Sequence, residues 1–283
     1  VRDRVAPGIG PVEALSVFSP SFVTVTYGAG GSTKARSLTT VCRMIKDTGL
    51  LNTAAHLTCV GADKADVDAV VDEFATCGVR HFVALRGDPQ GGIGSRYEPF
   101  AGGYENAAAL VAGIRAKGEF EISVSAYPEK HPESVDVATD IDMLKRKVDN
   151  GATRALTQFF FDNDDFERYL ERVRRAGIAI PIVPGILPIN NFGQMRKFAG
   201  LCGARVPDAI ATRLAHLDEQ PAERFKEATH IAAEQIVDLA RRGVRDFHLY
   251  TMNRSPLIAA VCDLVGFERR PAAVRARHEG AAA

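Results

Sequence analysis

The chain has 283 residues, 46% of them hydrophobic and 25% charged, the balance of a globular protein with a sizeable core. Lys and Arg together number 35, as do Asp and Glu, so no net field recruits nucleic acid or an anionic membrane, and any basic site has to be local. No apolar run is long enough to span a bilayer, and no signal-peptide pattern opens the chain.

In chain order, residues 12–18 read as the end of a helix feeding a β-rich run at 22–27. Further β-rich runs follow at 53–59, 81–86, 121–127, 154–161, 180–187 and 246–251. Several are nearly continuous in apolar residues, as strands covered on both faces must be. Between them, helical periodicity marks residues 63–77, 139–150 and 165–176, and this alternation means parallel βαβ units. Helices are predicted to end at Gly78, Gly151, Gly177 and Gly243, each leading into the next strand. The repetition favours one continuous barrel over residues 1–283 rather than two domains. The segment 189–245 is predicted to be helical and to cover the last gap. Seven strands are counted where a closed (β/α)8 barrel has eight, so the first strand is expected upstream of Val1 or supplied irregularly.

Cys42, Cys59, Cys77, Cys202 and Cys262 are odd in number and widely spaced, with no CxxC pair. This argues against a disulfide framework or a Cys-based zinc site, and predicts reduced, buried thiols in a cytoplasmic protein.

In such a barrel, chemistry sits at the C-terminal ends of the strands. Nearly every strand here ends in a group that can hydrogen-bond or carry charge, which points to an enzyme. Gly28-Ala29-Gly30-Gly31-Ser32 either cradles a phosphate or serves only a sharp reversal; it lacks Walker A and GxGxxG spacing. His56 and His131 fall in no HxH or HExxH arrangement, so no metal is expected, and His56 is read as a hydrogen-bonding group at the mouth. Asp88 is a structural cap, an ion-pair partner of Arg86 or a functional carboxylate. Lys145, Arg146 and Lys147 follow Asp140 on one helix; spacing alone leaves open a solvated face or a pyrophosphate patch. Alternation puts Gln158 and Phe160 on one strand face and Phe159 and Phe161 on the other.

The segments FVTVTYGAGGS (22–32), AHLTC (55–59), HFVALRGD (81–88), SAYPEKHPE (125–133), LKRKVDNGA (144–152), TQFFFD (157–162), PGILP (184–188) and DFHLYTMNR (246–254) resemble, in order, those of methylenetetrahydrofolate reductases. The resemblance covers most of residues 22–267. It implies a (β/α)8 barrel holding FAD that reduces 5,10-methylenetetrahydrofolate to 5-methyltetrahydrofolate, with NADH as the usual hydride donor and ping-pong passage through the flavin. Bacterial members assemble as dimers or tetramers. By motif, Thr26, His56, Arg86, Asp88, Tyr127, His131, Asp140, Arg146 and Lys147 match the FAD-binding set, which gives Arg146 and Lys147 a pyrophosphate to meet. Asp88 and Gln158 match catalytic positions, and Gln158, Phe198, Tyr250 and Arg254 match substrate-binding ones. The chain departs from the family at Met143, where a polar residue is expected. It also lacks the first-strand Phe-Glu-Phe-Phe-Pro-Pro motif that carries the general acid. The leading expectation is that this motif and the missing first strand lie together in a segment upstream of Val1; otherwise Glu129, Glu13 or a water are the candidate proton sources, and the alternative reading is a flavin- and folate-binding barrel without full turnover.

Overall fold

The computed structural model describes residues 10–26, 34–48, 52–89, 91–92 and 95–270. Seven strands, β1 (Val23–Val25), β2 (Thr53–Thr58), β3 (His81–Leu85), β4 (Glu121–Ala126), β5 (Arg154–Phe159), β6 (Ile182–Ile186) and β7 (His248–Leu249), form one parallel sheet in chain order. The helices are α1 (Gly10–Ser16), α2 (Lys34–Thr48), α3 (Lys64–Thr76), α4 (Ala107–Lys117), α5 (Val137–Asp149), α6 (Asn163–Arg175), α7 (Phe192–Cys202), α8 (Asp208–Leu214), α9 (Pro221–Arg241) and α10 (Ser255–Leu264).

The two-residue period of a strand sends alternate side chains to two different cores. Outward residues such as Phe82, Ile122 and Val124 pack with Phe74, Leu110, Ile114 and Leu144 of the helices. Inward residues Ala54, Val83, Leu156 and Val183, with Phe22 and Leu85 beside them, fill the barrel interior. A third apolar group lies at the C-terminal mouth. There Phe159, Leu187, Ile189, Phe192, Met195, Ile210, Leu214 and Ile231 pack α7, α8 and one end of α9 over the strand ends.

Local chemistry explains the alternation. Asp63, Asn106, Asp136, Asp162 and Asn191 each accept backbone N–H bonds in the first turn of the helix that follows. At the other end of α3, Gly78 takes φ +98°, donating to Ala75 while Val79 donates to Phe74, both at 3.0 Å. That left-handed turn costs a residue with Cβ far more, and the same bond pair recurs at Gly151, Gly177 and Gly243, as the sequence predicts.

The sheet curls until its two flanks meet. α1 packs against α10, the Arg270 N–H reaches the Val17 carbonyl at 2.6 Å, and the Arg269 guanidinium lies 5.1 Å from the Phe18 ring. Among the described residues no strand stands between β7 and β1, so the count of seven matches the sequence reading and the architecture is of the (β/α)8 type.

Three expectations need correction. The edge runs are short, β1 stopping at Val25 and β7 at Leu249, because each has a strand partner on one side only among the described residues. β5 ends at Phe159 after a register shift between Leu156 and Phe159. That shift breaks the predicted alternation: Phe159 and Phe161 do share the mouth, but Phe160 stacks on Phe166 in the outer core while Gln158 faces the mouth. Finally, Cys42 of α2 and Cys77 at the end of α3 form a disulfide, their Cα atoms 5.3 Å apart, whereas Cys59, Cys202 and Cys262 are free and buried. Neighbouring helices of a barrel bring together cysteines 35 residues apart that no local spacing pairs, and such a bond is uncommon in a reducing compartment. No described helix is long and apolar enough to cross a membrane.

Candidate active site at the barrel mouth

Arg86 is the first residue beyond β3, and Gly87 follows at φ +89°, where a Cβ would stand 2.5 Å from Val60 Cγ1. Only glycine fits that approach, and it turns the chain so that Asp88 follows at the mouth. The guanidinium of Arg86 donates to both oxygens of Glu133, at 2.6 and 2.8 Å, and its central carbon lies over the Tyr97 ring, 4.3 Å from the ring centre. Arg86 therefore pairs with Glu133, which settles against the Arg86–Asp88 pair considered from the sequence. In the loop after β4, Tyr127 and His131 meet edge to face at 4.7 Å. Asp140, in the first turn of α5, accepts the His131 N–H at 3.2 Å and the Ser134 hydroxyl at 3.1 Å.

Lys147 stands two turns further along α5, on the face shared by residues i and i+7, and is buried. Its ammonium donates to the Ser125 carbonyl at 2.9 Å and to the Ser125 hydroxyl at 3.3 Å, both neutral oxygens. Burial pushes its pKa down to about 8, with Asp140 pulling the other way. His56 Nε2 and His248 Nδ1 are buried without a hydrogen-bond partner. Burial pushes His56 to about 3, helped by His248 and His81, and His248 to about 4. Arg146 is exposed on α5, and Thr26 is exposed at the end of β1 with its carbonyl taken by the Ser37 hydroxyl at 3.0 Å. Tyr27 and the glycine-rich segment 28–32 lie outside the described residues.

A second group of residues lies beside the first. Gln158, with its amide oxygen 3.1 Å from its neighbour's N–H, lines a crevice with Tyr127, Glu129 and Cys202; at about 10 Å³ it admits one water. Across the mouth, Phe198, Tyr250 and Arg254 line a cavity of about 220 Å³ together with Leu187, Asn191 and Met195, below the roughly 300 Å³ at which ligand pockets begin. Phe198 stacks on Phe159 with centroids 5.3 Å apart, and the Tyr250 hydroxyl donates to the Thr157 carbonyl at 3.0 Å. Met252 and Asn253 carry φ of 45° and 57°, two left-handed residues in a row that set Arg254 at the start of α10. Of the two candidate acids, Glu13 is exposed on α1. Glu129 is half-buried at the crevice, its carboxyl raised by burial while the Arg205 N–H donates to it at 2.8 Å.

The structure thus brings Arg86, Tyr127, His131, Asp140 and Lys147 into one group and Gln158, Phe198, Tyr250 and Arg254 around the adjoining space. Sequence reasoning missed the parts played by Glu133, Tyr97 and Cys202. Glu133 stands in the quoted SAYPEKHPE segment, and only its place at the Arg86 fork distinguishes it.

The opposite end of the barrel holds a deceptive arrangement. His81 Nε2 lies 2.8 Å from Ser123 Oγ and its Nδ1 3.9 Å from Glu121, an order of groups that would suit an activated serine. Ser123 is wholly buried, however, and the group sits at the N-terminal ends of the strands, where polar contacts serve stability. Among the described residues, no set of three or more His, Cys, Asp or Glu is placed to hold a metal ion.

A sequence profile described as methylenetetrahydrofolate reductase matches residues 9–266. The chain belongs to the methylenetetrahydrofolate reductase family. Its relatives include the 5,10-methylenetetrahydrofolate reductase of Pectobacterium carotovorum subsp. carotovorum, 42% identical over 257 residues that cover 90% of this chain and 83% of that protein. That of Escherichia coli K12 is 40% identical over 255 residues, with the same two coverages of 90% and 83%. Among solved structures, an uncharacterized protein from Clostridium thermocellum that binds two copies of 5-methyl-5,6,7,8-tetrahydrofolic acid aligns with a TM-score of 0.54 at 12% identity. It covers 93% of this chain and 91% of its own, and at that identity the likeness concerns the fold alone.

Proposed function

We propose that this chain is an oxidoreductase that binds FAD, takes hydride from NADH and reduces 5,10-methylenetetrahydrofolate to 5-methyltetrahydrofolate in a ping-pong cycle. The observation that carries the reading is the donor set at the ends of β2–β4. Among the described residues, a buried lysine bonded to neutral oxygens and a histidine with an unused buried nitrogen, beside an Arg86–Glu133 pair backed by an aromatic ring, suit a hydroxyl-rich, anionic dinucleotide. FAD, when bound, supplies a two-electron carrier that accepts hydride from one partner and passes it to the next.

The chain's own residues supply position and charge. Lys147, with Arg146 at the rim, would meet the pyrophosphate, Arg86 would border the cofactor with its charge already paired to Glu133, and Asp140 holds the His131 loop in place through the 3.2 Å bond to its N–H. Asp88, set at the mouth by Gly87, offers an acidic side chain suited to cationic character on the folate. Gln158 presents an amide to the folate and the nicotinamide in turn, and Phe198 offers a ring face that aligns each of them. Arg254 gives the 220 Å³ cavity its cation, suited to an anionic end of a ligand. Opening the imidazolidine ring of the folate requires a proton. Within the described residues Glu129 is the carboxyl at the crevice whose pKa burial raises, the direction a general acid needs.

Anaerobic mixing decides the matter. Protein loaded with FAD is reduced with NADH and then given methylenetetrahydrofolate while flavin absorbance is followed. Bleaching followed by recovery establishes the cycle. Bleaching without recovery leaves a flavin- and folate-binding barrel that lacks its proton donor, and a chain that takes up no FAD ends the reading.

A further inference from the structure

α7 bridges the mouth. Near its N-terminus Asn191, Gln194 and Met195 line the larger cavity with Tyr250 and Arg254; at its C-terminus Cys202 and Gly203 line the crevice with Tyr127, Glu129 and Gln158. Phe198 sits between the two ends. What fixes the far end of this helix is Arg205, three residues beyond it. Its backbone N–H donates to Glu129 Oε1 at 2.8 Å, and its guanidinium donates to Asp162 at 2.7 Å and to Asp165 at 3.0 Å. Asp162 also caps α6 by accepting the Asp164 N–H at 3.0 Å. One residue thereby ties the loop after β4, the segment after β5 and the end of α7.

A second observation agrees. Gly203, at φ +74°, packs so closely that a Cβ would meet Pro132 at 3.3 Å and the Lys130 carbonyl at 3.4 Å, on the same β4 loop. Lys130 itself holds φ 103°, a conformation that surrounding contacts must enforce. The Arg205 side chain is 55% exposed, and exposed ion pairs add little to global stability. Its geometric effect is larger, since Glu129 and Gln158 lie on one side of the mouth and Phe198 on the element it anchors.

We infer that Arg205 is a positioning residue for substrate binding: it anchors α7 over the crevice so that the distance between Phe198 and Gln158 is set before folate or nicotinamide arrives. Ordering the cleft in advance removes a cost that each ligand would otherwise bear on binding. The inference rests on the reductase reading for what binds, though the tie itself can be tested without it.

The test compares Arg205→Met and Arg205→Lys with the wild type in the FAD-loaded protein. The alkylation rate of Cys202, a buried free thiol at the tied end of α7, is followed by peptide mass. We expect a rise of at least fivefold in Arg205→Met and a smaller one in Arg205→Lys, which keeps one charged nitrogen of the kind that reaches both Asp162 and Asp165. In turnover, KM for both methylenetetrahydrofolate and NADH rises about 5–10-fold, a larger change than any in kcat, with flavin affinity unchanged. Unaltered Cys202 labelling overturns the side-chain tie to Asp162 and Asp165, the backbone bond to Glu129 being common to all three proteins. Altered labelling with unchanged KM, a fall in kcat alone, or loss of flavin overturns the positioning role. A wild type without reductase activity refutes the proposed function instead, and the labelling still decides the tie.

Discussion

The two ends of the barrel interior carry similar residue types put to opposite uses. At the N-terminal end Glu121 is ion-paired with Arg154, His81 shares a 2.8 Å contact with Ser123, and Phe22 covers both His81 and Arg154 at 4.7 and 5.0 Å. At the C-terminal end, by contrast, Lys147 is buried against neutral oxygens, and His56 Nε2 and His248 Nδ1 have no partner. The first arrangement leaves Arg154 Nη1 without a hydrogen bond but closes its charge in the Glu121 ion pair, and it serves stability. The second carries a desolvation cost that a ligand would offset, which is how a binding site differs from a polar core.

That contrast breaks first, if it breaks, at Lys147. Its pKa falls from 10.5 to about 8 on folding, so the unfolded chain binds the proton more tightly. The resulting loss of stability sets in as pH falls through that interval and is complete at pH 7, at about 3 kcal/mol. Lys147→Met should therefore raise the melting temperature of the flavin-free protein while weakening FAD binding about 100-fold, read by flavin fluorescence titration. A variant that melts lower and binds as before would put Lys147 in the structural class.

The Cys42–Cys77 bond, at the stability end of α3, should behave in the opposite way. Closing a loop of 35 residues stabilises by roughly 3–4 kcal/mol in the chain-entropy account, so reduction should lower the melting temperature by on the order of 10 °C with flavin affinity intact. His81→Ala removes the Ser123 partner and opens a gap beside Phe22, costing about 2–3 kcal/mol in denaturant titration, again without change in flavin binding. The buried histidines add a pH dependence of definite sign. His56 and His248 are held at about 3 and about 4 in the fold, against an ordinary histidine value of 6.5. The unfolded chain therefore takes up protons first, and stability falls as pH drops below 6.5, each histidine contributing up to about 1.4 kcal/mol per pH unit until its folded value is reached. His56→Gln should flatten that slope by one histidine's share, measured as unfolding free energy between pH 7 and 4.5. The smallest effect is expected at Asp88, where Asp88→Asn should retain FAD and slow the folate half-reaction about tenfold while flavin reduction by NADH stays within twofold; equal losses in both would remove its assigned role.

Much of this layout was legible in the chain. The seven strands follow from apolar runs separated by helical periods, and the Gly78 and Gly151 stops follow from the need for a left-handed residue at a helix end. Grouping the polar strand ends depended only on all strands pointing one way. What stayed hidden depended on contacts across long separations: Arg86 meeting Glu133, 47 residues away, Cys42 meeting Cys77, and the register shift that turns Phe160 from Gln158. The relay-like group at His81 shows the converse. Spacing places Ser123 and Glu121 on the same strand face, but only burial reveals that nothing can reach the serine.

The separate apolar group that packs α7 and α8 over the mouth has a consequence for how the molecule opens. Its residues, from Phe192 and Met195 to Ile210 and Leu214, cluster apart from those that hold the strands to α3–α6. A region with its own small core is a cooperative unit of its own, and it can detach at a lower free energy than the whole chain unfolds. Amide exchange along α7 and α8 should accordingly report a sub-global opening while β3 and β4 exchange only with complete unfolding. The cover of the mouth is then held by a smaller core than the scaffold beneath it.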